Sequence, residues 1–135
     1  MDSEEEIYQE HVLDHYEDPY HSGSLPDRTH QAEGKNPLCG DRVTIQLKIG
    51  ADQRIEDAWF EGSGCCISQA SASMLVEAIE GKSVIDVMKM SAEEMLQLFG
   101  PRLTPNRQKC CLLPWRVAQI AVHQPVDSVK EKGEG

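Results

Sequence analysis

The five cysteines of this 135-residue chain fall in three places: Cys39 in Leu38-Cys39-Gly40-Asp41, Cys65-Cys66 in Glu61-Gly62-Ser63-Gly64-Cys65-Cys66-Ile67-Ser68, and Cys110-Cys111 in Lys109-Cys110-Cys111-Leu112. Thiolates delivered from fixed backbone are what zinc and iron–sulfur centres require. Cys65 follows a Gly-Ser-Gly turn and precedes a helix, where unpaired N–H groups and the helix dipole favour thiolate over thiol. Cys110 is read as opening the last helix beside Arg107 and Lys109, another setting that lowers a thiol pKa. Cys39 stands in a turn just before a strand. Asp41 lies two residues on, and i and i+2 share a face of extended chain, so its carboxylate can join that thiolate. The expectation is that Cys39, Asp41, Cys65 and Cys110 converge on one metal-binding and sulfur-handling site. No C-x-x-C pair is present, so each residue keeps a second reading: a cysteine buried as a small hydrophobe, an aspartate capping its own turn.

Adjacent residues on a helix point about 100° apart, so both members of a doublet rarely reach one metal. Cys66 and Cys111 are therefore assigned to the core or as helper thiols. His11 and His15 share a helical spacing that could hold a metal, but no third ligand stands near them in sequence. They are read as histidines at a solvent edge.

Such a site needs a platform, and the chain length suits one domain able to bury a core. We expect that domain over 1–125 and a flexible polar tail over 126–135. Hydrophobic residues make up 39% and aromatics 5%, so the core is aliphatic. A net charge of −10 argues against a nucleic-acid surface. No apolar run reaches membrane-spanning length, and the acidic start is unlike a signal peptide. The expected location is cytoplasmic, where an odd number of cysteines suggests ligands or reactive thiols rather than disulfides.

A first helix is expected over 3–16, with Ser3 as N-cap and a stripe of Tyr8, Val12, Leu13 and Tyr16, ended by Asp18-Pro19. From 20 to 38 the chain reads as an extended loop with room for one short strand. Val43, Ile45, Leu47 and Ile49 alternate with polar residues, the pattern of a strand with one buried face. After the turn at 50–53, Ile55–Glu61 returns as a second strand whose imperfect alternation calls for two-sided burial or a bulge. A helix follows over 66–79, stopped at Gly81. Two short helices are capped at Ser83 and Ser91, the second by an S-x-x-E capping box. The last helix is placed over 111–122, with Pro114 in its first turn. A strand pair followed by a run of helices implies an α+β fold, a small antiparallel sheet covered by helices.

The combination resembles the NifU/IscU/SufU iron–sulfur cluster assembly scaffolds over about residues 5–122. The marks are Tyr8…Asp14-His15-Tyr16-Glu17-Asp18-Pro19…Gly23, Asn36-Pro37-Leu38-Cys39-Gly40-Asp41, Phe60-Glu61-Gly62-Ser63-Gly64-Cys65-Cys66-Ile67-Ser68 with Ser71-Ala72-Ser73, and Arg107-Gln108-Lys109-Cys110. The resemblance implies a three-stranded antiparallel sheet packed on one face by helices. It also implies that Cys39, Cys65 and Cys110 are the cluster or metal cysteines and that Asp41 tunes cluster lability. Lys109 stands where the IscU branch has a histidine, and Leu103-Thr104-Pro105-Asn106-Arg107 replaces that branch's Leu-Pro-Pro-Val-Lys. Lys109 and Leu113-Pro114-Trp115 are similar to the SufU branch, without that branch's extra segment between the second and third cysteines. The implied role is a scaffold and not a turnover enzyme. A pyridoxal-phosphate cysteine desulfurase would pass sulfur to Cys39 or Cys110. A transient two-iron two-sulfur cluster would then be held by Cys39, Asp41, Cys65 and Cys110 and given to apo iron–sulfur proteins. The alternative is a zinc-bound sulfur-transfer partner that activates the desulfurase and holds no cluster.

Overall fold

Val43, Ile45 and Leu47 are fully buried on one face of the central strand, and the helices are arranged on that face, while the loop of residues 20–28 lies against the other through Gln46. The computed structural model describes residues 10–37 and 40–126. In chain order these form α1 (Glu10–Glu17), β1 (His30–Asn36), β2 (Asp41–Ile49), β3 (Ile55–Ser63), α2 (Cys66–Ile79), α3 (Val84–Lys89), α4 (Ala92–Phe99) and α5 (Pro105–Ala121). The sheet is antiparallel throughout, in the order β1-β2-β3. Helices α5 and α2 cover it, α5 over β1 and β2 and α2 over β3, while α1 packs on α2 and α4 on α5. The expected α+β class and the three-stranded sheet covered by helices are both observed.

The irregular second strand of the hairpin is a bulge. Lys48 pairs with Asp57 but Ile49 pairs with Ile55, so Glu56 is the extra residue. It resets the alternation, which lets Ile55 face the core with Ala58 and Phe60 although its parity differs from theirs. The loop expected after residue 20 holds β1, a full seven-residue strand. Gly34 in β1 lets α5 come close: a Cβ there would meet Val117 Cγ2 at 2.5 Å. The β1 edge is extended by residues 124–126, since Gln31 N–H donates to the Gln124 carbonyl and Val126 N–H to the Thr29 carbonyl.

Three expectations need correction. Helix α5 begins at Pro105, six residues before the expected 111, with proline at its first position and Thr104 as N-cap. Pro114 consequently lies inside the helix rather than in its first turn. Tyr16, assigned to the packing stripe of the first helix, is exposed, and Val12 is its buried residue. His11 is exposed and His15 half-buried, as expected of a solvent edge, and both are hydrogen-bonded there: His11 Nε2 with the Phe99 carbonyl at 2.7 Å and His15 Nδ1 with the Ser73 hydroxyl at 2.7 Å. The Ser3 cap and Tyr8 of that helix lie outside the described residues. Helix α2 and both caps at Ser83 and Ser91 stand where expected, the latter a complete capping box with Glu94.

Candidate metal and sulfur centre

Three elements end at one place. Strand β2 opens with Asp41, and pairing of Arg42 with Ser63 brings the end of β3 beside it. Gly64 then turns the chain at φ +136°, a conformation that side chains disfavour, and Cys65 becomes the N-cap of α2. A Cβ on Gly64 would collide with the Asp41 carboxylate and lie 2.9 Å from its Cα, so only glycine lets β3 approach so closely. Helix α5 crosses β1 and carries Cys110 in its second turn, not at its start, to the same spot.

The carboxylate of Asp41 is fully buried. Its Oδ1 accepts the Cys65 backbone N–H at 2.8 Å, which puts a negative group at the positive end of α2. Its Oδ2 lies 3.5 Å from Cys65 Sγ. Donor atoms of Asp41, Cys65 and Cys110 all fall within 4.8 Å of one another. Zinc bonds of about 2.3 Å to sulfur and 2.0 Å to oxygen give a tetrahedral sulfur–oxygen edge of about 3.5 Å. The donor set therefore fits a four-coordinate ion with one ligand still to come. Cys39, the expected fourth, lies outside the described residues.

The doublet partners are placed apart from this cluster. Cys111 is buried in the core, where burial pushes its thiol up to about 12. Burial also raises the Cys66 thiol, with Cys65 adding to the rise and Arg107 opposing it. Both are thus kept as thiols at neutral pH. No disulfide forms among the described cysteines.

Sequence reasoning gave no role to two neighbours. Asn36, buried at the end of β1, points its amide at Cys110 Sγ over 3.8 Å. Ser68, fully buried one turn into α2, donates its hydroxyl to the Cys65 carbonyl at 3.1 Å and stands 3.9 Å from Cys65 Sγ. A buried asparagine three residues before a cysteine and a serine three residues after one were the available signals. Neither type distinguishes a ligand-orienting group from a cap.

A buried carboxylate among thiols at the rim of a helix-covered sheet gives this α+β domain a donor set suited to a metal ion. The chain belongs to the NifU-like N terminal domain family, whose family model matches residues 7–131. It is 36% identical over 133 residues to the zinc-dependent sulfurtransferase SufU of Bacillus subtilis, covering 86% of this chain and 89% of that one. It is 35% identical over 132 residues to the iron–sulfur cluster assembly scaffold protein IscU of Thermotoga maritima, covering 86% and 92%. A crystal structure from Fervidobacterium islandicum, described as an iron–sulfur cluster assembly scaffold protein for the SUF system, superposes with a TM-score of 0.71 at 32% identity. That match covers 86% of this chain and 96% of the other.

Proposed function

We propose that this chain is an iron–sulfur cluster assembly scaffold that takes sulfur from a pyridoxal-phosphate cysteine desulfurase and gives up its cargo to apo iron–sulfur proteins. The observation that carries the reading is the meeting of Asp41, Cys65 and Cys110 donors within 4.8 Å from three separate segments. The IscU scaffold of Thermotoga supports it. The chain turns nothing over on its own: it binds, holds and releases. Free thiols suit a reducing compartment, which is the ground for placing it in the cytoplasm.

Sulfur transfer would run as thiol–persulfide exchange. A thiolate, Cys39 or Cys110, attacks the outer sulfur of a desulfurase persulfide; one S–S bond forms, the other breaks, and the desulfurase leaves as thiolate with no net oxidation. A two-electron donor, a thiol or an electron-transfer protein, would then reduce the outer sulfur to sulfide and restore the thiolate, and ferrous iron and that sulfide would be held as cargo by Cys65, Cys110, Asp41 and, by family resemblance, Cys39. A two-iron two-sulfur cluster suits four such ligands. Asp41 is the weak member of the set, because a hard carboxylate grips such a centre less firmly than thiolate.

The second reading, a zinc-bound sulfur-transfer partner, is favoured by the Bacillus relative and by Lys109 in place of a histidine. Zinc, when bound, would keep Cys65 and Cys110 deprotonated. Anaerobic reconstitution with ferrous iron, cysteine, a desulfurase and a thiol reductant separates the two. The scaffold reading expects visible cluster absorption and acid-labile sulfide, lost in Cys65→Ser and Cys110→Ser. Zinc retention with faster desulfurase turnover and no labile sulfide would replace it with the zinc reading.

A further inference from the structure

Helix α2 and strand β3 run away from the thiolate centre, and a second convergence lies at their far ends. Asp57 is six residues before Ser63, about 20 Å along β3. Glu80 is the C-cap of α2, fifteen residues and about 22 Å from Cys65. Between them sits His21, from the loop after α1. Its Nδ1 is 2.7 Å from Glu80 Oε2, 3.4 Å from Asp57 Oδ1 and 3.2 Å from the Ala58 carbonyl oxygen. We propose that His21, Asp57 and Glu80, with the Ala58 carbonyl as a further donor, form a second site that binds a first-row divalent cation such as Mn²⁺ or Fe²⁺.

The donor atoms of His21, Asp57 and Glu80 lie within 4.8 Å of one another, and the separations from Nδ1 suit a shared ion. Bonds of about 2.1 Å place neighbouring ligands about 3.0 Å apart in an octahedron and about 3.4 Å apart in a tetrahedron, the interval around which these contacts fall. The imidazole is fixed before any ion arrives. It stacks between Tyr20, with ring centres 4.0 Å apart, and Trp59, at 4.5 Å and nearly parallel. The carboxylates are held from behind. Trp59 Nε1–H donates to Asp57 Oδ1 at 2.9 Å, the Tyr20 hydroxyl donates to Glu80 Oε1, and Ala58 N–H donates to Glu80 Oε2 at 3.0 Å. Outer donors of this kind orient ligands in known metal sites.

Charge favours the same occupant. Glu80 stands at the negative end of the α2 dipole, where a cation is stabilised and a bare carboxylate is not. A cavity of about 540 Å³ opens beside His21, lined also by Asp14, Glu17, Asp18 and Glu77. An imidazole with two carboxylates and a carbonyl suits Mn²⁺ or Fe²⁺ rather than a soft, thiolate-seeking ion such as Cu⁺. Binding would displace the Nδ1 proton, leaving the ring protonated at Nε2 only.

The test uses the full chain carrying Cys65→Ser and Cys110→Ser, so that failure of the thiolate centre cannot be mistaken for failure of this one. Mn²⁺ is titrated and followed by its electron paramagnetic resonance and by the two tryptophan indole N–H signals. Trp59 donates to Asp57, whereas Trp115 donates to the Met90 carbonyl. The expected result is one saturable site that broadens the Trp59 signal and spares Trp115, with affinity lowered at least tenfold by His21→Ala and by Asp57→Asn. The second variant keeps an acceptor for Trp59 and guards against misfolding. Parallel broadening of both indoles, or unchanged affinity in the two variants, would overturn the site in favour of diffuse acidic attraction.

Discussion

The position of the Asp41 carboxylate depends on a glycine 23 residues away, and Gly64→Ala tests that dependence. At φ +136° an alanine is disfavoured by about 1–3 kcal/mol. Its methyl group would also press on the Asp41 carboxylate and approach the Asp41 Cα to 2.9 Å, a backbone atom fixed by pairing of Asp41 with Asn36 in β1. Overpacking against such a neighbour adds about 1–3 kcal/mol. A total near 3 kcal/mol lowers Tm by about 10 °C for a domain of this size. Because the strain is relieved by moving a ligand, zinc affinity should also fall, by about 10- to 100-fold, the usual effect of disturbing the groups that orient a metal ligand. Gly81→Ala is the control: its φ is +86°, nothing lies within 4 Å of the added methyl, and it stands at the other end of α2. Calorimetry in the zinc-free and zinc-loaded states gives Tm, and competition with a chromophoric chelator gives affinity. Equal Tm losses in the two variants, with zinc affinity unchanged in both, would refute the claim that Gly64 sets the carboxylate.

Asp41→Ala should make a reconstituted cluster survive a chelator several-fold longer, read as the decay of visible absorbance; an equally short-lived cluster counts against Asp41 as the labile ligand. With its thiol near 12, Cys111 is about one part in 10⁴ thiolate at pH 8, so mass spectrometry after brief iodoacetamide treatment should find it unmodified, while zinc protects Cys65 and Cys110. The same shift has a stability consequence of known sign: the unfolded thiol ionises near 9.0 and the folded one near 12, so stability falls by about 1.4 kcal/mol per pH unit between those values. Urea titrations at pH 9.5 and 10.5 should show a shallower decline in Cys111→Ala than in the parent. Gly34→Ala, which pushes a methyl group onto Val117, should cost about 1–3 kcal/mol of folding stability without altering zinc stoichiometry.

What the sequence made legible followed local rules. Val43, Ile45 and Leu47 alternate because one face of β2 is buried, and Ser91 with Glu94 caps α4 through bonds confined to one turn. The start of α5 was missed because Pro114 and Pro105 are both admissible first-turn prolines on pattern alone. Packing chose Pro105, which places Cys110 in the second turn and leaves Pro114 inside. Likewise Cys65 was legible from its Gly-Ser-Gly turn, while the Asn36 amide near Cys110 bridges 74 residues that no periodicity connects. The set of His21, Asp57 and Glu80 was invisible for the same reason, since its members meet only after β3 and α2 have formed.

The support given to Asp41 also suits a carboxylate to its proposed role in a centre that is filled and emptied. A ligand with no other partner would be left as a buried bare charge whenever the cargo departed, at a cost of several kcal/mol. Here Oδ1 keeps the Cys65 N–H and Oδ2 has the Cys65 thiol at 3.5 Å, so loaded and unloaded forms both leave the carboxylate solvated by the protein. Thiolates have a similar reserve: Cys110 lies within reach of the Asn36 amide and the Asn106 carbonyl, one a partner for thiolate and the other for thiol. A purely structural zinc site has no need of such alternatives. Their presence at two of the three proposed ligands is the reason to expect a centre whose affinity is tuned for transfer rather than for permanence.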